Sequence, residues 1–348
     1  MKRYILITQL LTGVVFLFFI VFYFGNGYGG KEKTLAEQTE TLAKKPVSSY
    51  SVTKINADNL TPSQIVYNPM NNTLVSITNK KNRYSLAIWQ SETHWTTGVA
   101  SWKIKKNQKL DNFTYNTNGA LYACLKEYKK NVLQKQTLVR LRGNGKIQKV
   151  NLSMLNNLGN TKSTKAIPEI SDIQCSGTSI SITYQYGAMK IYNLSEGQAL
   201  GAESITGTPS HNVFYDLHYF TVKRESKKKS VLLYDYDIRT GEIAHSFPLG
   251  GDGQDTSLFH LSNYQDTLYL LTPKGIFLGN CKETKLVKYL DYRDLHIPSH
   301  CHITFMQAAR DKTIYLGYQS SDQQFFLQQL TLPNQPQTEQ DKTEQQKI

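Results

Sequence analysis

Residues 231–247 read VLLYDYDIRTGEIAHSF, two apolar and aromatic runs on either side of a polar corner that contains a glycine. Val, Ile, Tyr and Phe favour strands, and a short corner with Gly is typical of the turn that joins two antiparallel strands. The stretch therefore predicts a β-hairpin. Whether this hairpin stands alone or belongs to a repeated unit decides the fold.

The same arrangement recurs along the chain, as an apolar run, a polar corner, a second apolar run and then a third. Six second runs are centred near Leu74, Leu121, Ile180, Phe220, Leu268 and Ile314. A repeat of about 40 to 50 residues with four strands per unit is the sequence signature of a propeller blade. The sequence therefore predicts an all-β propeller of about six four-stranded blades, in which 231–247 supplies the third and fourth strands of blade four.

The two ends of the repeat region predict how the ring closes. The last copy has only three evident strands, whereas SSYSVTKIN, residues 48–56, is a spare β-like segment at the other end. Because a missing fourth strand would leave an exposed sheet edge, we expect 48–56 to complete the sixth blade. A seventh blade within the long second-to-third repeat step, an open β-solenoid and two β-sandwiches are the alternatives.

The hairpin corner resembles the turn between the third and fourth strands of WD40-like and YVTN-type bacterial propellers. In those repeats an aromatic–Asp pair precedes a Thr-Gly-(Lys/Glu) turn, which Asp237, Thr240, Gly241 and Glu242 match. The resemblance is at superfamily level, because the Gly-His and Trp-Asp dipeptides of WD40 repeats are absent. Such propellers serve mostly as binding platforms, with some enzymes among them, so the resemblance implies little about chemistry.

The N-terminal residues predict a membrane anchor. Tyr4 to Phe24 is a stretch of 21 residues without a charge, and as a helix it would span roughly 30 Å, the thickness of a bilayer core. Lys2 and Arg3 precede it, which favours a cytoplasmic N-terminus and a C-terminal domain outside the cell membrane. We expect a cytoplasmic tip and signal anchor over 1–24, a stalk over 25–47, the propeller over 48–332 and a disordered tail over 333–348. A cleaved signal peptide is the alternative.

Charge and cysteine content narrow the class of partner. The formal net charge is +13, and most of it falls after the predicted anchor, so an anionic envelope component such as a wall polymer, a glycan or a phospholipid headgroup is a suitable partner. The predicted compartment argues against nucleic acid. The four cysteines are sparse and do not indicate a disulfide framework; Cys281 and Cys301 could pair, but two buried free thiols are favoured.

Histidines supply the candidate metal and channel residues. His300 and His302 would lie on one face of a strand at the start of blade six and could chelate a transition metal. His211 and His260 fall at the first strands of blades four and five, and first strands line the channel of a propeller. Several imidazoles could therefore approach the axis together. Exposed loop histidines are the simpler interpretation.

The remaining candidate is Trp95, which the strand pattern places in a connecting loop, whereas Trp89 and Trp102 should be buried between blades. An exposed loop Trp can stack on a sugar or on a partner protein. No established catalytic motif occurs, and no cofactor is required by the sequence. The sequence favours a membrane-tethered extracytoplasmic binding or scaffold module. A metal-assisted envelope enzyme acting on glycans or lactone-like substrates, and an accessory or sensory subunit of a membrane complex, are the alternatives.

Overall fold

The computed structural model of the chain describes residues 50–57, 60–91, 94–153, 155, 167–200, 212–225, 230–250, 256–282 and 285–333. Within them, six four-stranded antiparallel sheets form, and in five of the sheets the strands follow chain order. The prediction of an all-β propeller with six four-stranded blades is confirmed, and the described residues contain no seventh blade.

The first three blades each consist of four consecutive strands, numbered from the channel outward. Blade one contains β2 Ile65–Asn68, β3 Thr73–Lys80, β4 Arg83–Ser91 and β5 His94–Lys103. Blade two contains β6 Gln108–Tyr115, β7 Leu121–Lys129, β8 Val132–Leu141 and β9 Ile147–Lys149. Blade three contains β10 Ile170–Ser176, β11 Ser179–Tyr184, β12 Met189–Asn193 and β13 Ala199–Leu200.

The other three blades include the one that closes the ring. Blade four contains β14 Asn212–Tyr215, β15 His218–Glu225, β16 Ser230–Asp237 and β17 Ile243–Gly250. Blade five contains β18 His260–Tyr264, β19 Thr267–Thr272, β20 Gly275–Asn280 and β21 Leu286–Asp291. Blade six contains β22 Cys301–Ala308, β23 Thr313–Ser320, β24 Phe325–Thr331 and β1 Ser51–Ile55. Four short 3-10 helices lie between strands, at Pro62–Gln64, Gln185–Gly187, Thr256–Leu258 and Tyr292–Leu295.

The N-terminal strand completes the last blade, as the sequence predicts. β1 pairs antiparallel with β24, in a register that runs from Ser51 opposite Thr331 to Ile55 opposite Leu327. Ile55 is buried against residues of blades one and six. The indole N–H of Trp95 donates a hydrogen bond of 2.7 Å to the carbonyl oxygen of Asn56, just after β1. The ring is therefore closed by the two ends of the described domain.

The hairpin at 231–247 has the predicted form, with β16 and β17 joined by a tight turn. The backbone N–H of Gly241 donates to the carbonyl of Asp237 at 2.8 Å, and Gly241 has φ +73°, a left-handed conformation that glycine adopts readily. The Asp237 carboxylate accepts the backbone N–H of Arg239 at 2.8 Å. Asp237 and Gly241 therefore form the turn.

The core consists of six apolar clusters, one between each pair of neighbouring blades. Each blade contributes alternate side chains to the clusters on its two sides, because successive residues of a strand point to opposite faces. Representative buried members are Trp102, Tyr192, Tyr219, Val222, Leu290 and Tyr315. This two-sided burial explains the dense aromatic and β-branched runs in the sequence.

The tryptophans correct one sequence prediction. Trp102 is buried between blades one and two, and Trp89 is half-buried beside Tyr315 of blade six, with ring centroids 6.2 Å apart. Trp95 is in strand β5 and is half-buried, so the prediction that it occupies a connecting loop is wrong. Its indole N–H bonds to Asn56 instead of pointing from a loop tip.

All four cysteines are free thiols, so Cys281 and Cys301 are not paired; Cys281 is buried as predicted, whereas Cys301 is only half-buried. Burial raises the pKa of the Cys281 thiol to about 12. The predicted anchor, the stalk and the tail from residue 334 onward lie outside the described residues. Among the described residues, no helix has the length and apolar character that crossing a membrane requires.

Candidate functional site

The central channel of the propeller is a cavity of about 1330 Å³. Residues from the first strands of all six blades border it, namely residues of β2, β6, β10, β14, β18 and β22. Ligand sites are preferentially concave and have a few convergent polar groups. The channel is therefore the candidate site.

Irregular pairing in three of these first strands presents polar residues to the channel. β6, β10 and β22 each shift register against their neighbouring strand, at residues that include Asn112, Ser171 and Thr304. All three residues border the cavity. Asn112 has φ +53°, and its side-chain amide donates to the carbonyl of Ile170 in the next blade at 3.0 Å. Bulges of this kind re-aim side chains and are common next to functional sites.

The inner part of the channel contains a carboxylate with an altered pKa. Asp172 borders the cavity on β10, and burial raises its pKa to about 6. Hydrogen bonds from the Gln174 side-chain amide, at 3.0 Å, and from the backbone N–H of Ile173 partly offset that effect. The Gln174 amide also donates to the carbonyl oxygen of Asn212 on blade four at 2.8 Å. Gln174 therefore joins the carboxylate to the neighbouring blade.

One end of the channel opens among the turns that join first strands to second strands. We call the residues that border this opening the channel mouth: Met70, Asp216, Leu217, Arg239 and Arg310. Met70 is 60% exposed and Leu217 is 38% exposed, although both are large apolar residues. The mouth therefore combines exposed apolar side chains with charged ones.

Two tyrosines from other blades hold Arg310 in place. The backbone N–H of Arg310 donates to the Tyr67 hydroxyl at 3.2 Å, and its Nε donates to the Tyr264 hydroxyl at 3.4 Å. Tyr67 is buried, which raises the pKa of its phenol, so it stays protonated and donates its own hydrogen to Asn72 at 2.7 Å. The backbone of Arg310 is thus bonded to blade one, and its guanidinium to blade five.

Of the histidines predicted to approach the axis, those that the structure describes are not brought together. His260 is buried on β18 and borders the channel. His300 lies in an exposed turn before β22, and His302 is exposed near the start of that strand; neither borders the channel, whose β22 residues are Thr304 to Gln307. His211 lies outside the described residues. In the part of the chain that the structure describes, no three His, Cys, Asp or Glu side chains form a group that could hold a metal ion.

Sequence reasoning missed a polar cluster within the hairpin stretch itself. The Asp235 carboxylate, on β16, lies 3.0 Å from Nδ1 of His218 on β15 and 3.2 Å from Nδ1 of His245 on β17. Asp235 is 3% exposed. The signal was present in the sequence, because Val231, Leu233 and Asp235 alternate on one buried face of the strand and a carboxylate there needs partners.

Comparisons with known proteins extend only to the fold. No protein-family model and no curated protein matches the chain significantly. Similar solved structures include a luciferin-regenerating enzyme, with 12% identity over 81% of this chain and 95% of that one and a TM-score of 0.48. They also include BamB from Moraxella catarrhalis, with 9% identity over 81% of this chain and 86% of that one and a TM-score of 0.42. A chain of a mitotic checkpoint complex matches with 9% identity over 81% and 80% of the two chains and a TM-score of 0.41. By the strand order of its own six sheets, the described part of the chain is a six-bladed β-propeller.

Proposed function

We propose that the protein is a binding module of the cell envelope, tethered to the membrane by residues 4–24 and engaging its partner at the channel mouth. The observation that carries the proposal is the exposure of Met70 and Leu217 at the same end of the polar channel as Arg310. Exposed apolar residues next to an oriented Arg are typical of interaction sites.

The proposed location rests on the sequence. The uncharged stretch from Tyr4 to Phe24 is long enough to span a bilayer, and the preceding Lys2 and Arg3 favour a cytoplasmic N-terminus. The propeller would then be outside the cell membrane, where its positive net charge suits anionic envelope components.

Site-specific photo-crosslinking tests the proposal. A photoreactive amino acid is placed at Met70 or Leu217 in the full-length protein, and the control carries it at Val132, which is 57% exposed on β8 and does not border the channel. Irradiated cells should give the same discrete adduct from the two mouth positions and none from Val132. Equal labelling from all three positions, or labelling from Val132 alone, would contradict a binding site at the mouth.

A further inference from the structure

We propose that the channel binds an oligosaccharide that carries carboxylate groups, with Arg310 as the residue that recognises a carboxylate. This inference rests on the proposed function and narrows it to one class of ligand. Three features of the channel support this ligand class. They are the guanidinium of Arg310 at the mouth, the hydrogen-bond acceptors of Asp172 and Gln174, and the aromatic residues that border the cavity.

The guanidinium of Arg310 is oriented and has donors to spare. Its Nε–H donates to the Tyr264 hydroxyl, so the N–H groups of the two terminal Nη atoms remain available as a planar pair of donors. Asp311 is the next residue, yet the ion pairs formed among the described residues do not include Arg310. A carboxylate has two oxygens in one plane and matches such a fork with two parallel hydrogen bonds.

The other cation at the mouth is already engaged. Nη2 of Arg239 lies 2.7 Å from Oδ2 of Asp237, within the turn between β16 and β17. Arg239 therefore serves its own turn, and Arg310 is the better candidate for an external anion.

Farther along the channel, Asp172 and Gln174 offer acceptors for ligand hydroxyls. Asp172 lies four residues before the end of β10, which places it roughly 13 Å from the mouth at about 3.3 Å per strand residue. Its carboxylate receives protein hydrogen bonds only from Gln174 and Ile173 among the described residues, and Oε1 of Gln174 receives none. Oxygen acceptors with unused lone pairs call for a ligand rich in O–H donors.

Half-buried aromatic residues also border the cavity, among them Phe113, Tyr215 and Phe305, each of which packs partly against a core cluster. An oligosaccharide combines O–H donors around each ring with apolar ring faces that pack on aromatic side chains. An acidic peptide offers the carboxylates, but only about one backbone N–H donor for each 3.3 Å of extended chain. The unused acceptors on Asp172 and Gln174 therefore favour the saccharide.

The test is isothermal titration of the purified full-length protein, in detergent micelles, with tetragalacturonate. Two matched ligands are its fully methyl-esterified form, which keeps the sugar and removes the charge, and tetraglutamate. The variants are Arg310→Gln and, as the control, Arg83→Gln, an exposed residue on β4 that does not border the channel.

We expect tetragalacturonate to bind the wild type and Arg83→Gln equally, and to bind at least tenfold more weakly to Arg310→Gln. The methyl ester should bind the wild type at least tenfold more weakly than tetragalacturonate does. Absence of tetragalacturonate binding, equal binding of the methyl ester, equal binding to Arg310→Gln, or tighter binding of tetraglutamate would each overturn the inference. The crosslinking from Met70 and Leu217 is independent of these titrations. Adducts from both positions would therefore support the proposed function even if the titrations contradicted the ligand class.

Discussion

Nδ1 of His218 lies 3.0 Å from Oδ1 of Asp235, so a surface-facing imidazole caps a carboxylate that is almost completely buried. His245 approaches the same carboxylate from the other neighbouring strand, at 3.2 Å. Three strands of blade four are thus joined by side-chain hydrogen bonds in addition to their backbone pairing. A buried carboxylate with two donors is costly to disturb, because removing it leaves both imidazoles without their acceptor.

We therefore expect Asp235→Ala to lower the free energy of unfolding by about 2 to 4 kcal/mol, through lost hydrogen bonds to a charged group and a small cavity. Urea denaturation of the full-length protein measures the change. Asp237→Ala, two residues along at the end of β16, serves as the control and should cost clearly less, because Asp237 is half-buried and its carboxylate bonds, among the described residues, only within its own turn. Equal losses from the two variants would show that the cluster around Asp235 adds nothing to stability.

Asp172 should make stability depend on pH. Its pKa is raised from 3.8 to about 6, so between these values the folded carboxyl holds a proton that the unfolded chain has released. Stability should therefore fall as the pH rises from about 4 to about 6 and remain lower above that range. Asp172→Asn removes the charged form and should raise the free energy of unfolding at pH 7.5.

The expected gain from Asp172→Asn is about 1 to 2 kcal/mol, less than the full pKa difference implies, because Asp172 is only half-buried. Near pH 4 the variant and the wild type should unfold at the same urea concentration. Asp216→Asn, at the exposed mouth, is the control and should change stability by less than about 0.5 kcal/mol at either pH. An Asp172→Asn effect that is the same at both pH values would point to packing rather than to charge.

The closing strand can be tested at Ile55, which is 5% exposed. Ile55→Ala removes buried methyl groups and should cost about 2 to 4 kcal/mol, whereas Val132→Ala, at a position 57% exposed, should cost less than about 0.5 kcal/mol. Amide hydrogen exchange should also become faster in β24, whose residues Leu327 to Thr331 pair with β1. Unchanged exchange in β24 would argue that β1 does not secure the last blade.

The predicted anchor leads to a fractionation experiment. The full-length protein should stay in the membrane pellet after extraction with alkaline carbonate, and the double variant Val15→Arg, Phe18→Arg should be released, since each central Arg costs about 2.5 to 3.5 kcal/mol on insertion. Gln337→Arg with Gln345→Arg adds the same charge to the C-terminal tail and should leave the protein in the pellet. Release of the wild type would contradict a membrane span.

The blades could be predicted from the sequence because each strand buries both faces. The second strands near Leu74 and Leu268 are therefore dense apolar runs, which can be recognised without an alignment of related sequences. The positions of single side chains could not. The strand pattern predicts a loop at Trp95, but β5 extends back to His94 and the indole bonds to the distant Asn56. His300 and His302 precede the part of β22 that borders the channel, and where a first strand reaches the axis depends on its bulge, which no local pattern marked.

The pairing of β1 with β24 has a consequence for how the molecule is made. The first strand of the domain to leave the ribosome has as its partner the last strand to be synthesised, so the sixth blade cannot assemble until translation of the domain is complete. Pairings between residues so far apart in the chain are slow to form. Until then β1 presents an unpaired strand edge. The nascent chain is therefore prone to aggregation and depends on chaperones that shield such an edge.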